Sequence, residues 1–168
     1  MRHSLQSFAA SCHEILETAD NPHGRRQVAT LLAELLADPA FVEAQFEAAS
    51  PERKILYEDA QLGFCILAHN YTGPKTSGPH DHGPSWAIYG QASGETAMSD
   101  YVLLKPAAGD APGQVRKTRS YRLTPGAVHV YNEGDLHSPS RAGPTRLIRI
   151  EGTNMEKVQR AKYEEVPS

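Results

Sequence analysis

Apolar side chains recur at helical spacing over the first fifty residues, and at shorter, interrupted spacing after them. Leu5, Phe8, Ala9, Cys12, Ile15, Leu16 and Ala19 fall on one stripe, which predicts a helix over residues 4–19. Asp20-Asn21-Pro22-His23-Gly24 breaks the stripe with turn-forming residues. Val28, Leu31, Leu32, Leu35 and Leu36 predict a second helix over residues 25–37. Asp38-Pro39 then reads as an N-cap followed by proline at the first helical position, leading into Phe41, Val42, Ala44 and Phe46. Three such helices are expected to pack their apolar faces on a sheet.

From Ser50-Pro51 the pattern shortens. Strands are predicted over residues 54–58, 64–71, 101–104, 115–123, 127–131 and 146–151. Ala87, Tyr89 and Gln91 share one face of a further strand. Residues 72–79 and 105–113 read as loops by their glycine and proline content, and 155–163 as a short helix. Many short strands joined by such turns predict a sandwich or barrel. With no internal repeat and no long linker, the 168 residues are expected to form one domain. It would comprise a helical region (1–50), a barrel (51–152) and a tail (153–168).

Composition narrows the function. The chain is 39% hydrophobic and 22% charged, as in an ordinary globular protein. A net charge of −3 without a basic stripe argues against a nucleic-acid partner. Cys12 and Cys65 lie far apart and suggest no disulfide framework, so a reducing cytoplasm is the expected location. No stretch approaches the roughly 18 apolar residues of a membrane span, and the N-terminus leads into an amphipathic pattern. A membrane partner is therefore not expected.

The candidate chemistry is metal chemistry. His80 and His82, in Gly78-Pro79-His80-Asp81-His82-Gly83-Pro84, would share a face in an extended chain and offer two imidazoles to one ion. His69, His129 and His137 are the candidates for a third. His137 has the strongest local case, because Pro125-Gly126 and Glu133-Gly134 bracket a strand and His137 opens the next one. His3, His13 and His23 fall in the helical region and carry no metal spacing. There is no Gly-x-Ser-x-Gly elbow, phosphate loop or dinucleotide fingerprint, and Cys12 lies in a predicted helix with no plausible base partner placed to activate it.

These motifs resemble those of the cupin superfamily, over roughly residues 53–151. In the first cupin motif a His-x-His pair is followed by a glutamate and a glycine. His80, His82 and Gly94 match, while Ala87 (Trp86 by the shorter count) holds the glutamate position. In the second motif Gly126, Gly134 and His137 match, with Asn132 in place of a proline. The resemblance implies a mainly β fold, the double-stranded β-helix or jelly-roll barrel, with the N-terminal α-helices packed on it. It implies a divalent metal on His80, His82 and His137. Nitrogen ligands suit several metals; Fe(II) is the expectation, with Ni or Zn as further possibilities.

A three-histidine set is similar to that of the cysteine dioxygenase branch, and Arg53 lies near where that branch keeps a carboxylate-binding arginine. Two departures stand out. Ala87 replaces the cross-linking cysteine of some members, and the Ser-x-His-x-Tyr strand falls on Leu147-Ile148-Arg149-Ile150-Glu151. The chain thus looks like a thiol-dioxygenase-related cupin re-equipped for another small substrate, with O2 as co-substrate. The resemblance implies substrate contacts at Arg53, Tyr89 and Arg149, and catalytic roles for Tyr89 and Glu151. Arg149 and Glu151 either contact substrate or pair with each other. The alternatives are a non-catalytic metal-dependent binder or sensor, and a Zn or Ni isomerase or hydrolase. A homodimer through strand edges is a further expectation.

Overall fold

In the computed structural model, which describes residues 4–167, local caps set the helix starts. Ser4 opens α1 (Leu5–Ala19): its hydroxyl accepts from the Ser7 amide at 3.1 Å, and the Ser7 side chain returns to the Ser4 amide. The second helix, α2 (Pro22–Leu36), begins earlier than residue 25. The Asn21 carboxamide accepts from the His23 and Gly24 amides, and Pro22 needs no amide partner there. The apparent breaker is therefore the cap. Asp38 caps α3 (Pro39–Gln45) in the same way.

Ten strands follow: β1 (Arg53–Glu58), β2 (Cys65–Tyr71), β3 (Lys75–Thr76), β4 (Ala87–Ser93), β5 (Thr96–Lys105), β6 (Gly113–Leu123), β7 (Val128–Tyr131), β8 (His137–Arg141), β9 (Thr145–Glu151) and β10 (Tyr163–Glu165). They form two five-stranded sheets, ordered β1-β2-β9-β4-β7 and β10-β6-β5-β8-β3. Apart from the β1–β2 and β5–β6 hairpins, successive strands cross between the sheets, which gives the double-stranded β-helix, mainly β with its helices N-terminal.

Strand alternation sorts the first sheet into two cores. Ile88, Ile148 and Ile150 face outward and bury the helical side chains Phe8, Cys12, Leu16, Val28, Leu32 and Phe41. The helix-to-sheet approach is close at Gly90, where a Cβ would come within 2.8 Å of Leu32 Cδ2. Ala87, Tyr89 and Leu147 face inward with Met98, Leu123 and Tyr131, between the sheets. The two faces of β4 are thus as the sequence predicts.

Other expectations are corrected. Residues 155–163 are not a helix: only Met155–Lys157 makes a 3-10 turn, and the chain then runs extended into β10, parallel to β6. Tertiary contacts decide this, since Tyr163 packs so closely on Gly113 that a Cβ there would meet its ring at 2.7 Å. The 72–79 loop contains β3, paired with β8. The strand expected at 101–104 spans Thr96–Lys105, in a long hairpin with β6; the missed half, Thr96–Asp100, buries Thr96 and Met98 but is too polar to form an apolar run. His80 and His82 do not sit on a common strand. His80 makes a single bridge with His137, and the His82 carbonyl accepts from Ser85 in a turn. No helix among the described residues is long and apolar enough to cross a membrane.

Candidate metal centre

Backbone pairing brings the three histidines together. The His80 and His137 amides and carbonyls bond reciprocally at 2.9 Å, so the turn carrying His82 is fastened to the start of β8. Each flanking ring then has its orientation fixed by a carbonyl: His80 Nδ1 lies 2.9 Å from Gly78 O, and His137 Nδ1 lies 2.8 Å from Asp135 O. A ring nitrogen facing a carbonyl must donate, which leaves Nε2 of both rings as a lone pair. The Tyr131 ring stacks on His137 at 3.9 Å between centroids and holds it from the other side.

The donor atoms of His80, His82 and His137 lie within 4.8 Å of one another. His82 Nε2 and His137 Nε2 are 3.3 Å apart. Metal–nitrogen bonds of about 2.1 Å place neighbouring ligands about 3.0–3.4 Å apart, so this spacing fits a shared ion. Burial favours the neutral imidazoles that a metal needs, pushing His80 down to about 4, His137 to about 2 and His82 further still. The residues present therefore suit a divalent ion with three nitrogen ligands and no carboxylate, because Ala87 is fully buried where a glutamate would reach inward.

Tyr89 adds the nearest hydroxyl. Its Oη is 3.1 Å from His82 Nε2 and 3.2 Å from His137 Nε2. Desolvation raises its pKa, so the phenol keeps its proton. Gln91, two residues on, also points inward, but its amide is engaged by Thr96 and the Ser93 carbonyl.

His80 and His82 open onto a cavity of about 720 Å3, while His137 is fully buried beside them. Its wall carries Arg53, Arg141, Arg149, Arg160 and Lys162 against only two carboxylates, Glu151 and Glu156. Arg53 is shared with both, at 3.3 Å from Glu151 and 2.8 Å from Glu156. Arg149 lies 3.8 Å from Glu151 and 4.1 Å over the Tyr89 ring. Arg149 and Glu151 thus both pair and border the cavity.

The remaining histidines separate clearly. His69, on β2, borders the cavity with Nδ1 3.1 Å from the Tyr71 hydroxyl, but it is not in the metal group. His129, on β7, is half-buried between the rings of Tyr121 and Tyr131. His13 pairs with Asp59 at 2.8 Å, His23 is exposed near the start of α2, and His3 lies outside the described residues.

The sequence reading missed Arg141 and the tail. Arg141 had a usable signal: it lies four residues after His137 on one strand, so residues 137, 139 and 141 share the inward face. The tail had none. Tyr163 donates to Asp81 Oδ2 at 3.0 Å and Arg160 to the Asp81 carbonyl at 3.3 Å, closing the chain's end over the histidine turn.

No family model and no curated protein matches the chain. Solved structures with a similar strand arrangement include a cupin superfamily protein from Desulfitobacterium hafniense (12% identity, TM-score 0.45, covering 65% of this chain and 84% of that one). A protein with a double-stranded β-helix domain from Klebsiella pneumoniae gives 13% identity and a TM-score of 0.45, over 72% and 94% of the two chains. KdgF from a Halomonas species gives 16% identity and a TM-score of 0.45, over 62% and 82%. Likenesses this partial carry no argument about ligand or reaction. The site's own residues carry it.

Proposed function

We propose that the protein is a metal-dependent dioxygenase that holds Fe(II) on His80, His82 and His137 and acts on a small carboxylate- or thiol-containing substrate. The observation that supports this most is the convergence of three neutral imidazoles, without a carboxylate, on a cavity walled by arginines. Iron on such a set would supply a redox-active Lewis acid with positions left for substrate and O2.

The chain's own residues divide the remaining work. Gly78 O and Asp135 O fix the His80 and His137 rings, so their Nε2 lone pairs are oriented before any ion arrives. The Tyr89 hydroxyl is a protonated donor beside those nitrogens, placed to hold a proton at Oη for the reacting centre. Arg149 and Arg141 give the wall a positive charge that favours an acidic substrate, while Glu151 pairs with Arg53 and Arg149. The tail, tied to Asp81, covers one side of the cavity and limits access of water.

The reading is tested by O2 consumption of anaerobically Fe(II)-loaded protein across a panel of thiols, β-diketones and small acids. Uptake with any of them supports the dioxygenase. Binding without uptake would instead indicate a sensor, and turnover with Zn an isomerase or hydrolase. His82→Ala should lose stoichiometric metal in elemental analysis of protein purified without a nickel resin. Full retained occupancy would overturn the ligand assignment.

A further inference from the structure

The cavity wall contains a cation that the arrangement around the histidines leaves without a counter-charge. Arg141 projects inward from β8 and is only 2% exposed, yet its Nε and Nη2 have no hydrogen-bond partner among the described residues. Those two nitrogens form one edge of the guanidinium, the edge whose parallel N–H bonds match the two oxygens of a carboxylate. The guanidinium is held by the Tyr71 ring, 4.2 Å from its centroid. The cavity's two carboxylates are not available to it, because Glu151 and Glu156 are both committed to Arg53.

A buried, unpaired charge is costly, and structures retain one where a ligand completes it. The surroundings favour an anion further. His69, Arg53, Arg141 and Arg149 line the same cavity, and burial, with the charge of these arginines adding to it, keeps His69 well below its usual pKa. His69 Nδ1 lies 3.1 Å from the Tyr71 hydroxyl, and with that hydroxyl as donor the ring hydrogen sits on Nε2. His69 Nε2 and Arg149 Nε are, like the two Arg141 nitrogens, buried on this wall without a partner among the described residues.

We propose that Arg141, assisted by Arg149 and the His69 Nε2–H, is the seat for the carboxylate of the cavity's ligand, and that Arg53 is not. This rests on the cavity being the ligand site, as in the proposed function, but it involves neither iron nor O2. It assigns the ligand as a small organic acid whose carboxylate lies on the β8 side of the cavity. Arg53 then serves to anchor Glu151 and the 3-10 turn at Met155–Lys157.

Metal-free protein titrated with propionate, and separately with the uncharged isostere propionamide, tests this by ligand-observed NMR and by thermal shift at constant ionic strength. Wild type should bind propionate and not propionamide. Arg141→Met should weaken propionate by about tenfold or more, the loss expected for a charge-assisted bidentate contact, while Arg53→Gln should stay within about twofold. Arg141→Met should also melt higher than wild type without propionate, because the uncompensated charge is gone. Should that variant misfold, Arg141→Lys keeps the charge without the fork and should bind propionate at an affinity clearly below wild type. Equal binding of the two probes by wild type, or wild-type propionate affinity in the Arg141 variants, would overturn the assignment. A dioxygenase reading that fails on O2 uptake leaves these outcomes unaffected, so the two failures are distinguishable.

Discussion

Replacing Glu151 by glutamine should destabilise the protein more than any single change at Arg53. Glu151 is 2% exposed and stands on a central strand, with Oε2 at 3.3 Å from Arg53 Nη2 and 3.4 Å from the Met155 amide, and Oε1 at 3.8 Å from Arg149 Nη1. Removing one partner of a well-made buried pair costs about 3–5 kcal/mol, because the other charge is left desolvated. Here the contacts are longer than the roughly 2.7–2.9 Å of an optimal charged hydrogen bond, and the amide keeps one accepting oxygen. About 2 kcal/mol is therefore expected. For a chain of 168 residues, an unfolding entropy of about 2.1 cal/mol/K per residue converts this to a Tm lower by about 6 °C. Arg53 is 22% exposed and partly paired with the exposed Glu156, so Arg53→Gln should cost about 1 kcal/mol, near 3 °C. Calorimetry and urea midpoints on both variants supply the comparison. An E151Q variant that melts with wild type, or above R53Q, would refute the view that Glu151 holds the arginines of this wall.

Three further outcomes are expected. His13 is raised above its usual pKa chiefly by its hydrogen bond to Asp59; burial would raise the Asp59 carboxyl, but hydrogen bonds from Leu62, His13, Tyr57 and Gln61 outweigh it and hold it at about 2. The stability contributed by protonated His13 is thus complete below about pH 6.5 and lost as pH rises through its higher folded value, while that from Asp59 is lost only as pH falls from about 4 toward 2. The Tm gap between wild type and His13→Gln should be widest near pH 5–6 and close toward pH 9, and a gap independent of pH would contradict the pairing. Burial pushes the Cys12 thiol up to about 12 and Cys65 up to about 11, and both are fully buried, so neither should react with Ellman's reagent until the protein is unfolded. Tyr89→Phe should keep metal stoichiometry, because the three histidine nitrogens are untouched, while lowering turnover of any substrate found in the O2 panel; unchanged turnover would remove Tyr89 from the proton inventory.

What the sequence determined by itself was whatever depends on near neighbours. Helical stripes and caps are local, so α1 and α3 were legible almost to the residue. Strand alternation is local too, so Ala87, Tyr89 and Gln91 could be placed on one face of β4. The spacing around His80, His82 and His137 marked three histidines that the fold brings together, although the His80–His82 pair is arranged otherwise than expected. A bridge and a turn align those rings, not a shared strand face.

Only the tertiary structure decided the cavity wall. Arg53 meets Glu151 across 98 residues and Tyr163 meets Asp81 across 82, and no period or composition encodes such pairings. The tail is polar and short, so its place as β10 depends on an edge strand supplied by β6. Arg141 shares strand parity with His137, but its burial was hidden for a related reason. His137-Ser138-Pro139-Ser140-Arg141 offers no apolar alternation, and an arginine in such a run ordinarily faces water. Closing the barrel turned it inward and left its charge unpaired. Burial of a charge is a property of the assembled sheets, not of any local run of residues.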